Sequence, residues 1–528
     1  MNLITDPWIE VLAEGDPAEM PLREVLLRAH EVEDLSWADP LVGAATLSLL
    51  TAIVMDSHDI RSVDGVGELW EVGHLDRAHL NSYLDEHRDR FDLFSPTTPF
   101  LQVASLEPVS GSPKSVALLQ PEVASGNNTP LFAASTETAT PPLTPAAAAR
   151  RLVALMGYDS AAIKTGAKGD PAAAGGKTSG NPTGPLGAIG YVAPIGRSLF
   201  ETVVLNLPAR VWRAGDAPAW RRDPPGPSWT TRLPAGPLDL ATWQSRRVRL
   251  HPEGGLVTGV VVSAGDRLPH IPDVETRTGW VKAKESTQGG PALRPRRHQS
   301  GRSAWRGLAA LLAGPDLANG EVPLPGVLMQ LNQLVMDEWI ERTHPIEIQI
   351  VGVEYGNMSA VIEHVVSDRT PFPIAALDPA HGSQVKGVVT LMGATADAVA
   401  RALNDLGDNL RRAAGGEKIP WDKGQRLGEL FLHRLNAPAW RMLAGLAREP
   451  RRAGEVREVW EQVCEREAWS LASPLLDEAP VETFHGHREG DRTIRLQTAE
   501  AFFRKAVREA LPTRAATTVR PSTEGDVA

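Results

Sequence analysis

The sequence predicts an α+β protein, with an irregular mixed α/β domain over residues 1–378 followed by a four-helix bundle over 379–528. Three observations carry this reading. A chain of 528 residues exceeds what one hydrophobic core serves, so two or more domains are expected. Up to Pro379, short β-branched segments alternate with Gly- and Pro-rich stretches. Beyond it, apolar residues recur at helical spacing in four successive stretches.

The elements follow in order. Asp6-Pro7 marks a turn before a short apolar segment, and residues 21–32 and 39–56 have helical spacing. Asp39 is placed to cap the second of these, with Pro40 at its first position. The apolar run from Leu41 to Met55 falls short of the roughly 20 residues a membrane span needs and reads as a buried helix. Residues 91–103 read as a Pro-punctuated loop that packs aromatics. Residues 145–156 form the one clear helix in the Gly/Pro/Ser/Thr/Ala-rich stretch 105–195. Segments 198–208, 255–263 and 346–354 are predicted strands. In the C-terminal part, Val399, Leu403, Leu406 and Leu410 mark a first amphipathic helix. Leu427, Leu430, Phe431 and Leu435 begin a second, bent or broken at Pro438. Val456, Val459, Trp460 and Val463 mark a third, and Leu496, Ala499, Phe502, Phe503 and Val507 a fourth. Short loops between them predict a bundle.

Charge is segregated along the chain. The whole carries 54 Lys+Arg against 65 Asp+Glu, yet residues 141–310 hold 23 basic and 11 acidic residues, a local balance of +12 against −23 for the remainder. A basic, loop-rich zone in an acidic protein reads either as a polyanion-binding face or as a solvated surface whose charges cluster. No signal peptide is expected, because the N-terminus lacks a basic stretch followed by an apolar one. A single cysteine, Cys464, excludes an internal disulfide and any multi-cysteine metal site, and a reducing cytoplasm is the expected location.

Catalytic patterns are incomplete. Gly175-Gly176-Lys177-Thr178 resembles the end of a phosphate-binding loop, but Pro171 stands where the first glycine belongs. His58-Asp59 lacks assignable further ligands for a metal, His485-Gly486-His487 with Asp491 is equally weak, and there is no G-x-S-x-G elbow. The chain is therefore read as a non-enzyme with no cofactor and no metal.

Several blocks occur in a telling order. They are MNLITDPWI at residues 1–9, TPFLQ at 98–102, a Gly-rich loop, TGWVKAK at 278–284, YGNMSAVIE at 355–363, and a helical C-terminus. This arrangement resembles the large subunit of the type I-E CRISPR Cascade surveillance complex, the CasA family. The resemblance covers nearly the whole chain. It implies a non-catalytic DNA-binding subunit of an RNA-guided antiviral complex. Such a subunit recognises the protospacer-adjacent motif (PAM) in double-stranded DNA, helps destabilise the duplex toward an R-loop, and recruits a helicase–nuclease in trans. Its implied partners are the duplex, the 5′ end of the CRISPR RNA and the other Cascade subunits, with no membrane. Duplex phosphates need a basic surface, which suits the charge map. Division of labour between protein-read motif and RNA-read sequence is known in other CRISPR effectors.

The resemblance also implies site residues. The family's first loop matches residues 125–136, with Phe132 either stacking on a base or tucked back as an anchor. Its glycine loop lies within 166–190, where Gly175, Gly176 and Gly180 are candidates. Its minor-groove lysine matches Lys282 or Lys284. Its hairpin wedge matches 356–359, so Asn357, Met358 and Ser359 are candidates at a Gly-Asn turn. The tip residue in the best-known members is a glutamine, and Met358 replaces its polar contacts by an apolar wedge. Some members carry a cysteine cluster before the lysine segment, and this chain has none. From the charge map, Arg294, Arg296 and Arg297 are added as phosphate contacts. Two other classes remain open at this point: a nucleotide-binding enzyme using the GGKT segment, and a structural protein docking an acidic partner.

Overall fold

The computed structural model describes residues 1–109, 111–123, 135–283, 293–312, 323–418, 426–489 and 492–512. The chain divides into two compact units. The first comprises Met1–Arg302, Ala313–Glu341 and Ile346–Arg369; the second comprises Ser303–Leu312, Arg342–Pro345 and Thr370–Ala528. The fold is mixed α/β with a helical C-terminal region, as the patterning predicted.

The first unit is organised around the helix Pro40–Ser57. Asp39 caps it by accepting from the amides of Leu41 at 3.1 Å and Val42 at 3.2 Å. Every residue from Leu41 to Met55 is buried, so this apolar helix is a core element. The helix Pro145–Tyr158 packs on it, capped by Thr144 and started by Pro145. Arg151 joins the two helices by an ion pair to Asp39 at 2.6 Å. The loop at 91–103 does pack aromatics: Phe91 and Phe100 stack with ring centroids 5.2 Å apart. Gln102, buried beside them, donates to the Leu93 carbonyl and accepts from the Leu250 amide, both at 2.9 Å. A buried amide satisfied at both ends fixes this loop against the strand Arg246–Glu253.

Two sheets matter for the site. In one, Arg246–Glu253 and Leu256–Ala264 form an antiparallel pair, extended on the second strand by Lys114–Ser115. In the other, Ile346–Tyr355 lies between Ile362–Phe372 and Tyr191–Ile195. The strands expected at 255–263 and 346–354 are thus present. The strand expected at 198–208 is instead the helix Leu199–Leu205. Its β-branched residues Thr202, Val203 and Val204 are buried, and local capping overrides their strand preference. Ser198 accepts from the Glu201 amide at 3.3 Å while the Glu201 carboxylate reaches back to the Arg197 amide at 2.7 Å.

In the second unit the long helix Ser383–Ala413 is the axis. Leu427–Arg434, Ala453–Asp477, Leu496–Ala510 and Ala304–Leu311 pack against it. Val399, Leu403 and Leu406 are buried as their spacing predicts, and Leu410 is half-buried. The second predicted helix breaks at Leu435, and Pro438 falls in the first turn of the next one, Asn436–Arg448. Three residues assigned to apolar stripes face outward: Leu430 is 45 %, Val459 45 % and Phe502 53 % exposed. Their neighbours Phe431, Trp460 and Phe503 take the inward positions. The helix Ala304–Leu311 brings Trp305 edge-on to Trp460, with centroids 5.5 Å apart, and Arg306 to Asp397 at 2.6 Å.

Candidate nucleic-acid interface

Much of the basic excess of residues 141–310 is internal scaffolding. Arg150 pairs with Glu10 and Glu19, and Arg151 with Asp39 and Glu122. Arg222 and Arg232 share Asp239, and Arg232 and Arg247 share Asp266. Arg277 is buried and donates to Ser48 Oγ, Thr51 Oγ1 and the Asn206 carbonyl. Among the described residues of 141–310, Lys177, Arg210, Lys282, Arg294 and Arg297 are exposed and carry no ion pair. A phosphate has to find its partners in this smaller set.

Lys282 and Arg294 lie on a two-stranded ribbon, Trp280–Lys282 paired with Leu293–Pro295. Val281 is opposite Arg294, and Lys282 is opposite Leu293. The ribbon is tied to the sheet by an isolated bridge between Tyr191 and Thr278. Arg296 is half-buried, and burial lowers its guanidinium from the usual arginine range. Arg297 is exposed and borders a recess of about 260 Å³ with Pro182, Thr183 and His270. Next in the chain, His298 holds the Tyr191 carbonyl through Nε2 at 3.0 Å, and Gly352 leaves it room.

Burial pushes His298 down to about 4. The unfolded imidazole takes up its proton near 6.5, the folded one only near 4, so stability is full above 6.5 and is lost as pH falls through that window. The loss amounts to roughly 3 kcal/mol at one pKa unit per 1.36 kcal/mol. Urea midpoints measured between pH 7 and 4 should fall accordingly, and His298→Gln should flatten that decline.

The hairpin tip is the most distinctive local geometry. Residues 356–361 connect the strands Ile346–Tyr355 and Ile362–Phe372, closed by the Gly356 amide on the Val361 carbonyl at 2.9 Å. Left-handed backbone does not fall on the Gly-Asn dipeptide. It falls on Met358, φ 53°, and Ser359, φ 55°, so the expected tight Gly-Asn turn is replaced by a strained six-residue tip. Met358 is 87 % exposed, which excludes the competing core role for it. Asn357 is exposed and Ser359 half-buried. The tip is anchored from below. The Ser359 carbonyl accepts from the Ala161 amide at 2.7 Å, and Tyr355 Oη donates to the Tyr158 carbonyl at 2.6 Å. A side chain at Gly187 would come within 2.0 Å of the Tyr355 hydroxyl, so only glycine fits beneath it.

The glycine-rich segment is a small hairpin. Lys164–Thr165 pairs with Lys177–Thr178, and Ala174–Gly176 makes the turn. Gly175, Gly176 and Gly180 have φ of 64°, 76° and 67° at the surface, and nothing stands within 4 Å of a Cβ built on Gly175. Lys177-Thr178 is a strand, and the next helix starts only at Leu199, so no helix N-terminus stands behind the GGKT segment.

Gly176 and Lys177 of the glycine-rich hairpin, and Ala360 and Ile362 of the tip and the strand after it, line a single cleft. The structure thus brings the glycine turn and the hairpin tip together. Lys282, Arg294 and Arg297 do not line that cleft. Phe132 and Lys284 lie outside the described residues. Lys114 and Tyr158 line the cleft and were not singled out from sequence. An isolated lysine in the polar stretch GSPKS is the only sequence signal Lys114 offers. His58 is a structural residue: its Nε2 accepts from the Asp76 amide at 3.1 Å, and burial lowers its pKa. Among the described residues, no group of three or more potential metal ligands occurs.

Comparison with known proteins agrees along the chain. The family model of the CRISPR-associated protein Cse1 matches residues 2–471. The CasA/Cse1 protein of Thermus thermophilus is 29% identical over 433 residues, 79% of either chain. The crystal structure of Thermobifida fusca Cse1 superposes with a TM-score of 0.84 at 30% identity, covering 97% of this chain and 98% of that one. A chain of a CRISPR RNA-guided surveillance complex shares the fold at a TM-score of 0.70 and 21% identity, covering 97% and 99%. With the family model spanning most of its length, the chain belongs to the Cse1 (CasA) family of CRISPR-associated proteins.

Proposed function

We propose that this chain is the non-catalytic large subunit of a type I-E RNA-guided surveillance complex. In that role it recognises the protospacer-adjacent motif in duplex DNA, helps separate the strands beside it, and recruits a helicase–nuclease in trans. The observation that carries the reading is the anchored hairpin tip that presents Met358 almost fully to solvent. An exposed apolar side chain on a strained, pinned turn is suited to insertion between base pairs. The unpaired cations of the ribbon supply phosphate contacts. Family membership and the structural neighbour in a CRISPR RNA-guided complex support the placement beside guide RNA and other subunits. The alternative of a nucleotide-processing enzyme loses support, because the GGKT segment is a strand of a hairpin with no helix behind it.

The test is the salt dependence of duplex binding by the assembled complex. Lys282→Glu, Arg294→Glu and Arg297→Glu together should weaken binding to all duplexes and flatten the plot of log affinity against log salt. Each lost phosphate contact lowers the slope by about 0.9. Arg296 is omitted because it is half-buried. An unchanged slope places the DNA elsewhere and refutes the assignment.

A further inference from the structure

The tip that presents Met358 is not held by its own two strands alone. The segment at the end of the helix Pro145–Tyr158 grips it on both sides. Tyr355, the residue before the tip, donates from Oη to the Tyr158 carbonyl at 2.6 Å, and the Ala161 amide donates to the Ser359 carbonyl at 2.7 Å. Burial raises the Tyr355 pKa, so its hydroxyl stays protonated and remains a donor. The aim of the tip is therefore only as fixed as residues 158–161.

Residues 159–163 belong to no helix or strand, so side chains have to fix them. Asp159 does most of this. Its carboxylate accepts from the Ser160 amide at 2.9 Å and pairs with Lys164 at 2.7 Å and with Arg246. Its carbonyl accepts from the Gly184 amide at 2.8 Å. Lys164 begins the strand that pairs with Lys177–Thr178 in the glycine-rich hairpin. The Lys164 side chain is 10 % exposed, too deep for a phosphate contact. One ion pair thus joins the glycine-rich hairpin to the segment that grips the tip.

We propose that Lys164 and Tyr355 are positioning residues for duplex opening: they hold the glycine turn and Met358 at a fixed spacing, so that a duplex seated on the one meets the other at the first base step. This rests on the proposed opening role of the tip. Such a support acts through population. Once loosened, the tip occupies its productive position for a smaller fraction of the time, and the opening rate falls by that fraction.

The test follows opening by the assembled complex with 2-aminopurine at the first target bases, on fully paired targets and on targets already unpaired beside the motif. Lys164→Met and Tyr355→Phe should each slow opening of the paired target roughly fivefold, the worth of one lost hydrogen bond. Both should be near normal on the unpaired target and leave the salt slope of duplex binding unchanged, because neither side chain meets a phosphate. The decisive measurement combines each with Met358→Ala. A residue that acts only by aiming Met358 has nothing left to aim, so each double variant should be no slower than Met358→Ala alone. Urea midpoints are taken alongside. If Lys164→Met unfolds the first unit, Tyr355→Phe, which removes a single oxygen, decides the matter. Should the double variants slow opening by the product of the single effects, or should Tyr355→Phe slow both targets equally or neither, the positioning role is wrong and the opening role of the tip survives. If Met358→Ala itself opens the paired target at the normal rate, the opening role falls and the positioning role with it.

Discussion

Replacing Arg246 by alanine is expected to destabilise the first unit by about 3–5 kcal/mol, the cost of removing one partner from a buried charge network. Arg246 is 1 % exposed. Its Nε donates to Asp159, its Nη1 to the Ser245 carbonyl at 2.6 Å, and its Nη2 to the carbonyls of Ser160 and Pro182 at 2.8 Å each. It therefore ties a sheet strand, the end of the helix Pro145–Tyr158 and the glycine-rich segment into one piece. Burial alone would raise the Asp159 carboxyl, but Lys164 and Arg246 outweigh it and hold the pKa low, so the carboxylate stays charged. Without Arg246 that charge keeps Lys164, at 2.7 Å, as its one cation and the Ser160 amide, at 2.9 Å, while the carbonyls of Ser160 and Pro182 lose the Arg246 guanidinium as a donor. Against a domain stability of about 5–15 kcal/mol the loss is large enough to read directly from urea unfolding. Arg246→Met restores volume and should recover little. Adding Asp159→Asn to Arg246→Met should recover a substantial part, because removing both members costs less than orphaning one. A double variant no more stable than the single one would mean that lost packing, not the unpaired charge, sets the cost.

Arg246 also shows where sequence reading stops. A run of basic residues does not say which of them point inward, and in 141–310 the paired arginines outnumber the free ones that a phosphate would need. Ion pairs such as Arg150 with Glu19, or Arg221 with Asp56, join residues more than a hundred positions apart, which no local pattern encodes. What was legible is what local chemistry determines. The Asp39-Pro40 cap, the Thr144-Pro145 start and the inward stripe of Ser383–Ala413 follow from spacing and capping residues. The helix Leu199–Leu205 was legible in principle through Ser198-x-x-Glu201, but its run of β-branched residues pointed the other way. Leu430, Val459 and Phe502 were misplaced because each sits beside a larger or better aligned apolar neighbour that takes the core position. Of the site, the hairpin and the surface glycines could be placed from sequence. The cleft could not, because its walls come from segments near positions 41, 114, 155, 177 and 360 that only the fold assembles.

Met358→Ala is expected to slow strand separation beside the motif by about tenfold or more while leaving initial duplex binding nearly unchanged. A wedge that substitutes for stacking at one base step supplies a few kcal/mol, and each 1.4 kcal/mol is a factor of ten. The side chain is 87 % exposed, so its truncation removes no core contact, and stability should change by less than about 0.5 kcal/mol. The tip remains in place, because its anchors are backbone groups: the Ser359 carbonyl on the Ala161 amide, and the Gly356 amide on the Val361 carbonyl. Met358→Gly separates the two contributions of this position. Glycine accepts φ of 53° without strain, so the backbone relaxes while the wedge is lost. If the strained backbone rather than the side chain drives opening, glycine should slow opening more than alanine does; if the side chain drives it, the two variants should match. The assay is stopped-flow fluorescence with 2-aminopurine at the first target bases, comparing fully paired targets with targets already unpaired beside the motif. A wedge acts only on paired DNA, so both variants should be slow on the first substrate and near normal on the second. Equal slowing on the two substrates would trace the defect to docking or assembly, and Met358 would lose its role in opening the duplex.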